Sequence, residues 1–123
     1  MEGRTDLRGY DLVTIDGDDA RDFDDAVWAA ADDDPANPGG HRLLVAIADV
    51  AWYVRPRDAL DRDAQERGNS VYFPDRVVPM LPEALSNDLC SLRPEVVRSC
   101  RAVDLRIVRC GNILRHRFLR GLM

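Results

Sequence analysis

The sequence lacks lysine entirely, because all 17 of its basic residues are arginine. This absence indicates a codon preference more than a function, since composition is only a prior. Long apolar runs are also missing, and nothing approaches the roughly 18 apolar residues of a membrane span. The first residues, MEGRTDLRGYD, carry no apolar stretch of the kind that a secretory signal needs. We therefore expect no membrane partner and no secretion.

Cysteine is scarce, and its three copies are Cys90, Cys100 and Cys110. The number is odd and no C-x-x-C pair occurs. This pattern argues against a disulfide framework and against a structural zinc site. A reducing, cytoplasmic location fits best.

Charge is distributed unevenly along a chain whose net charge is −5. Residues 1–34 hold 12 acids and 3 arginines, whereas residues 93–123 hold 8 arginines and 2 acids. Such asymmetry suggests a cationic partner for the first segment and an anionic partner for the last. A solvated surface is the alternative.

Hydrophobic patterning predicts a single α/β domain of the α+β kind, with a strand-rich mixed sheet and short helices. The predicted strands are Leu12–Asp16, Phe23–Ala31, Leu43–Ala51, Ser70–Phe73, Ala102–Arg109 and Ile113–Leu119. Leu43–Ala51 is nearly all apolar, which predicts a strand covered on both faces. Helices are predicted at Pro56–Arg67 and Pro82–Leu89, each opened by proline. Gly111-Asn112 predicts a hairpin turn between the last two strands.

Aspartates concentrate in Thr14–Ala26, TIDGDDARDFDDA. The six are Asp16, Asp18, Asp19, Asp22, Asp24 and Asp25. Two carboxylates 4 Å apart repel by about 4 kcal/mol at an effective dielectric near 20, so folding several together requires a cation. Hard ions such as Mg²⁺ take oxygen ligands, with one or two protein carboxylates each. Four converging aspartates would therefore suit two ions, which together can promote phosphodiester cleavage.

Two other readings of this segment compete. The first is a solvated acidic loop without a bound ion. The second is an EF-hand calcium loop, which needs acids at alternate positions followed by glycine. Ala20 occupies the third acidic position and Gly17 comes too early. That mismatch argues against the EF-hand reading.

Three ordered stretches together resemble a known family. They are RTDLRGYDLVTIDGDDARDFDDAV, LLVAIADVAWYV and ALDRDAQERGNSVYFPDRVVPMLPEALSNDLCSLRPEVVR. They look like the start of the RNB catalytic domain of the ribonuclease R and ribonuclease II family, with ribonuclease R the closer resemblance. The similarity runs almost from end to end of the chain. It implies that residues 1–123 are the N-terminal portion of an RNB domain, a fragment without the OB or S1 domains.

The resemblance implies a processive, hydrolytic 3′→5′ exoribonuclease that releases nucleoside 5′-monophosphates from single-stranded RNA. It implies dependence on Mg²⁺, as two ions, with Mn²⁺ able to substitute. The family's active-site aspartates fall on Asp16, Asp22, Asp24 and Asp25; Asp16, Asp22 and Asp25 hold metal, and Asp24 acts in the chemical step through the second ion or the attacking water. Tyr72 matches the family tyrosine that stacks on the 3′-terminal base. Without the family, Tyr72 would be assigned to a strand in the core.

Departures from the family leave some roles open. Ala51-Trp52-Tyr53 stands where Ser-His-Tyr is common; Trp52 could pack or contact a base, and packing is favoured. Asp49 is expected to be a buried carboxylate that orients the site, whereas Asp18 and Asp19 are equally consistent with solvent exposure. The arginine-rich end is either an RNA-backbone surface or, as we favour, an edge for the remainder of the domain. An inactive fragment that binds metal or RNA weakly is the alternative function.

Overall fold

The structure is a computed structural model that describes residues 3–18 and 20–123. In chain order its strands are β1 (Thr5–Asp6), β2 (Asp25–Ala31), β3 (His41–Ala48), β4 (Val71–Tyr72), β5 (Val77–Val78), β6 (Ser99–Ile107) and β7 (Ile113–Leu122). Two α-helices, α1 (Val50–Tyr53) and α2 (Ala59–Arg67), and a π-helical turn (Leu85–Leu89) lie between β3 and β6. The predicted strand-rich α+β class is confirmed.

A five-stranded mixed sheet with the order β1-β7-β6-β3-β2 organises the molecule. β1 runs parallel to β7, and the other three pairings are antiparallel. At one end of the sheet, Asp25 of β2 pairs with Ile47 of β3, and Ile47 pairs with Arg101 of β6. The aspartate-rich segment therefore enters the sheet at its β2 edge.

The core lies on one face of this sheet, where small side chains line the strands. Ala46 and Ala48 of β3 are buried at alternate positions, as the period of a strand requires. Leu7, Leu85 and Leu92 pack over them from the connecting segments. Alanines leave room for these segments to approach the sheet closely, so the π-helical turn and its flanks lie directly on it.

The opposite face of the sheet is open, which corrects the prediction that Leu43–Ala51 is covered on both faces. Ile47 of β3 is 52% exposed and Phe118 of β7 is 77% exposed. An apolar composition does not distinguish a doubly covered strand from one with a single covered face.

The predicted strand Leu12–Asp16 is wrong, because Val13 alone bridges to Val27. Continuing that antiparallel ladder would place Asp16 directly opposite Asp24. Like charges opposed at this spacing are destabilising. Ile15 is consequently left exposed outside the sheet.

The predicted strand Leu43–Ala51 also ends early, at Ala48. Asp49 turns the chain into α1, with the Trp52 amide donating to the Asp49 carbonyl at 2.9 Å. The predicted helix Pro56–Arg67 begins only at Ala59, since Arg57 has a φ of 70° that a helix does not permit.

Around α2 the remaining boundaries are set by local bonds. The Asp58 carboxylate caps α2 by accepting from the Asp61 amide at 2.8 Å, and Gly68 ends the helix as predicted. Within the predicted helix Pro82–Leu89, residues Leu85–Leu89 form a π-helical turn instead of an α-helix. The Cys90 amide donates to the Leu85 carbonyl five residues earlier, which is the π-helical spacing.

Two short strands form a separate ribbon. Predicted strand Ser70–Phe73 shortens to β4, and it pairs with β5, which the sequence reading missed. The predicted hairpin between β6 and β7 is confirmed, with Gly111 at a φ of 90° in the turn. Among the described residues, no helix is both long and apolar enough to cross a bilayer.

Candidate metal centre

The aspartate-rich segment is held from both sides at its C-terminal end. The Asp24 carbonyl accepts from the Ala48 amide of β3 at 2.9 Å. On the other side, the buried Ser91 hydroxyl donates to the Arg21 carbonyl at 2.9 Å and accepts from the Phe23 amide at 3.1 Å. These bonds fix the backbone on both sides of Asp22. Sequence reasoning missed Ser91, since a serine in SNDLCSL carries no signal for this role.

Burial and neighbouring carboxylates both act on Asp24. Burial raises the pKa of Asp24, and the charges of Asp22, Asp25 and Asp16 raise it further. Asp25 begins β2, while Asp16 approaches from beyond the Val13 bridge. The structure thus places the four carboxylates in one field. Asp18 is exposed, and Asp19 lies outside the described residues.

The negative charge of these four aspartates is not balanced by arginines of the described chain. Across the described ranges, no arginine lies within ion-pair distance of Asp16, Asp22, Asp24 or Asp25. Repulsion of this kind has a cost unless a cation offsets it. The lack of ion pairs is notable because arginine is abundant and pairs with carboxylates elsewhere in the molecule.

The arginine-rich end makes most of those other pairs. Between residues 93 and 123, seven of the eight arginines lie within 4.0 Å of a carboxylate. Arg106 pairs with Asp32, and Arg115 pairs with Asp34 at 2.6 Å. Ion pairs within the chain therefore balance much of the charge asymmetry, which replaces the expected anionic and cationic partners with intramolecular ones.

Tyr72 contacts the cluster directly. Its hydroxyl donates to Asp22 Oδ2 at 2.9 Å. This hydrogen bond raises the pKa of Tyr72, and burial and the charges of Asp22 and Asp24 raise it further. The residue is 63% exposed, so the assignment of Tyr72 to a core is wrong and its ring is accessible.

A polar groove of about 410 Å³ adjoins Asp22. Phe73, Arg76 and Asn87 line it with residues of the β4–β5 ribbon and the π-helical turn. The Arg76 guanidinium lies 4.7 Å from the Phe73 ring centre. An aromatic ring, a guanidinium and an amide offer stacking, charge and hydrogen bonds beside the carboxylates.

The donor set fits a hard divalent cation. Carboxylate oxygens are the ligands that Mg²⁺ and Ca²⁺ prefer, and the cluster lacks the thiols and imidazoles that softer metals select. In the described part of the chain, no group of three or more such side chains is already gathered tightly enough to form a metal shell.

Asp49 anchors the neighbouring end of β3. It is 1% exposed, and its carboxylate accepts from Arg4 at 2.6 Å and from Arg101 at 3.0 Å. Burial opposes its ionisation, but these hydrogen bonds outweigh burial and lower the pKa of Asp49. Asp49 is buried as expected. Its ion pairs fasten the strand that bonds to Asp24.

Trp52 follows Asp49 and lies beside two arginines. The guanidinium groups of Arg4 and Arg120 are 5.2 and 5.4 Å from its ring centre. The ring is about half exposed. Trp52 therefore packs against arginine side chains through cation–π contacts.

The RNB domain family matches residues 4–123 of this chain. Ribonuclease R of Vibrio cholerae is 55% identical over 122 residues, which cover 99% of this chain and 14% of the relative. Ribonuclease R of Escherichia coli is 54% identical over 121 residues, with 98% and 14% covered. The chain thus spans about 14% of the length of these relatives.

A solved structure of Mycoplasma genitalium RNase R in complex with ribose methylated single-stranded RNA is similar, with a TM-score of 0.89 and 36% identity. The similarity covers 99% of this chain and 18% of that one. Yeast Ssd1, described as a pseudonuclease, shares the fold with a TM-score of 0.69 at 18% identity over 98% of this chain and 13% of that one. The fold alone therefore does not establish catalysis, which must be argued from the site.

Proposed function

The chain belongs to the RNB domain family, and from this membership we propose that it is the metal-binding segment of a ribonuclease R-type exoribonuclease. Its reaction is the hydrolysis of single-stranded RNA from the 3′ end, with release of nucleoside 5′-monophosphates. One observation carries the proposal: besides burial, the charges of Asp22, Asp25 and Asp16 raise the pKa of Asp24, so these carboxylates lie close enough to Asp24 to repel it. No arginine pairs with them in the described structure, although arginines pair with many other aspartates.

Asp16, Asp22 and Asp25, together with Asp24, would hold two Mg²⁺ ions. Mn²⁺ would be able to replace Mg²⁺. When bound, such ions make water more acidic and stabilise negative charge on a leaving oxygen. The aspartates themselves position the ions and the attacking water. Asp24 acts in the chemical step, through the second ion or the attacking water.

The 3′-terminal base is proposed to stack on the exposed ring of Tyr72. Base–aromatic stacking contributes about 1–3 kcal/mol per base and tolerates any sequence. Attack by water then breaks the bond between phosphorus and the 3′-oxygen of the preceding nucleotide, and that oxygen takes a proton. Single-stranded RNA is the proposed partner, together with the remainder of an RNB domain and its OB and S1 domains. We place the reaction in the cytoplasm, which suits three free cysteines.

Single-stranded RNA labelled at its 5′ end, incubated with the chain and Mg²⁺, tests the proposal. We expect stepwise shortening from the 3′ end. Asp24→Asn should slow it by about 100-fold or more, since a positioned acid or base contributes roughly 10²–10⁴-fold. Asp33→Asn is the matched control, because Asp33 is exposed and lies outside the cluster. Absence of any shortening by the wild-type chain would instead support the inactive-fragment alternative.

A further inference from the structure

The ribbon formed by β4 and β5 lies against the aspartate cluster without belonging to the core. All four of its strand residues are exposed. Its base is held by local bonds, such as that from the Met80 amide to the Ser70 hydroxyl at 2.9 Å. The hydrogen bond from Tyr72 to Asp22 links it to the cluster.

The chemistry of this contact differs from every arginine–aspartate pair in the molecule. A phenol is a neutral donor, so it orients the Asp22 carboxylate without cancelling its charge. The bond occupies Oδ2, and no side chain of the described residues bonds to the other carboxylate oxygen. Carboxylates that bind metals are commonly held by outer hydrogen bonds of this type.

We propose that Tyr72 is a positioning residue for the metal site: its hydroxyl holds the Asp22 carboxylate in the orientation that binds a divalent cation. This role belongs to the hydroxyl and is separate from stacking by the ring. The proposal rests on the proposed function, because it assumes that Asp22 is a metal ligand.

A consequence is that metal and nucleotide binding are coupled through one side chain. Tyr72 is 63% exposed and precedes Phe73, which lines the groove, while its hydroxyl contacts Asp22, which also lines it. A cation that fixes Asp22 then fixes Tyr72, and a base that fixes Tyr72 favours the bound geometry of Asp22. Such coupling is reciprocal for binding affinities.

Titration with Mn²⁺ in the absence of RNA, with free Mn²⁺ measured by electron paramagnetic resonance, tests the hydroxyl alone. Tyr72→Phe should weaken Mn²⁺ binding by roughly 10-fold or more, as loss of an outer-shell partner typically does. Its thermal unfolding midpoint without metal should equal that of the wild type, because the side chain is exposed. Tyr10→Phe is the matched control and should keep the wild-type affinity, since its hydroxyl contacts Arg42 instead of the cluster.

Asp22→Asn separates failure of this proposal from failure of the metal site. Weakened binding by Asp22→Asn together with unchanged binding by Tyr72→Phe would overturn the positioning role alone. Wild-type affinity in Asp22→Asn, or no Mn²⁺ binding by the wild type, would overturn the metal site and the positioning role together.

Discussion

Asp49 illustrates what a carboxylate requires in order to be buried in this protein. Its side chain is fully enclosed, as is nearly all of Arg4, its closest partner. Arg101 and Arg120 reach it from neighbouring strands, at 3.0 and 3.6 Å. Removing one member of a buried pair leaves an uncompensated charge, which is far more costly than the pair's net contribution.

Asp49→Ala should therefore lower the free energy of unfolding by about 3–5 kcal/mol, measured by urea denaturation at pH 7. Asp63→Ala is the control, because Asp63 forms an exposed pair with Arg67 within α2. Exposed pairs of this spacing contribute only about 0.3–0.5 kcal/mol. Equal losses in the two variants would contradict the assignment of Asp49 as an anchor.

The same prediction has a pH dependence whose sign is fixed. Since the folded-state pKa of Asp49 lies below the ordinary value of 3.8, its stabilisation is present above pH 3.8 and lost as pH falls through the folded value. The difference in unfolding free energy between wild type and Asp49→Ala should therefore narrow in strongly acidic solution.

At the scale of the element, β7 and β1 approach each other through Gly121. A Cβ atom there would lie 2.6 Å from Leu7 Cδ1 and 2.7 Å from Cys100 Sγ, both in the buried core. The glycine is thus required by close approach, since the strand conformation itself would accept any residue.

Gly121→Ala should destabilise the fold by about 1–3 kcal/mol through overpacking. Gly9→Ala is the matched control, because nothing lies within 4 Å of its added Cβ. Thermal unfolding of both variants gives the comparison, and the control should change stability by no more than about 0.5 kcal/mol. A Gly121→Ala variant as stable as wild type would show that Leu7 can move aside.

Local patterns predicted the elements whose partners are near in sequence. The hairpin at Gly111-Asn112 and the apolar strand through Leu44 follow from turn chemistry and hydrophobicity. β1 could not be predicted, because its two residues pair with a strand more than 110 positions away. The Val13 bridge stops because a longer ladder would set Asp16 opposite Asp24, a repulsion that the apolar run Leu12–Ile15 does not signal.

In the candidate site, too, the features within one segment were predictable and those between distant segments were not. Four candidate aspartates were identified from spacing and resemblance, and the structure brings them into one field. Their assignment as metal ligands stays a prediction. The support from Ser91 and the bond from Tyr72 to Asp22 connect residues about 50 or more positions apart, so no sequence pattern signals them.

At the scale of the whole molecule, no arginine of the described residues compensates the charges of Asp16, Asp22, Asp24 and Asp25. Mg²⁺ that binds the folded state should therefore stabilise it, by about 2.7 kcal/mol at 100 times the dissociation constant. Thermal unfolding with MgCl₂, compared with NaCl at equal ionic strength, measures the effect. The double variant Asp16→Asn with Asp24→Asn should lose the shift, whereas Asp33→Asn should keep it. An equal shift in all three proteins would indicate general screening of charge.

The parallel pairing of β1 with β7 also sets an order of assembly in time. Thr5 and Asp6 are synthesised more than 110 residues before their partners Gly121 and Leu122. Contacts between distant positions are slow to form because a long loop must close first. The β2–β3 and β6–β7 hairpins can form locally, whereas the N-terminal strand waits for the last strand before it can dock. Arg4, which bonds to the Cys100 and Gly121 carbonyls and to Asp49, therefore completes the anchor beside the candidate metal centre late in folding.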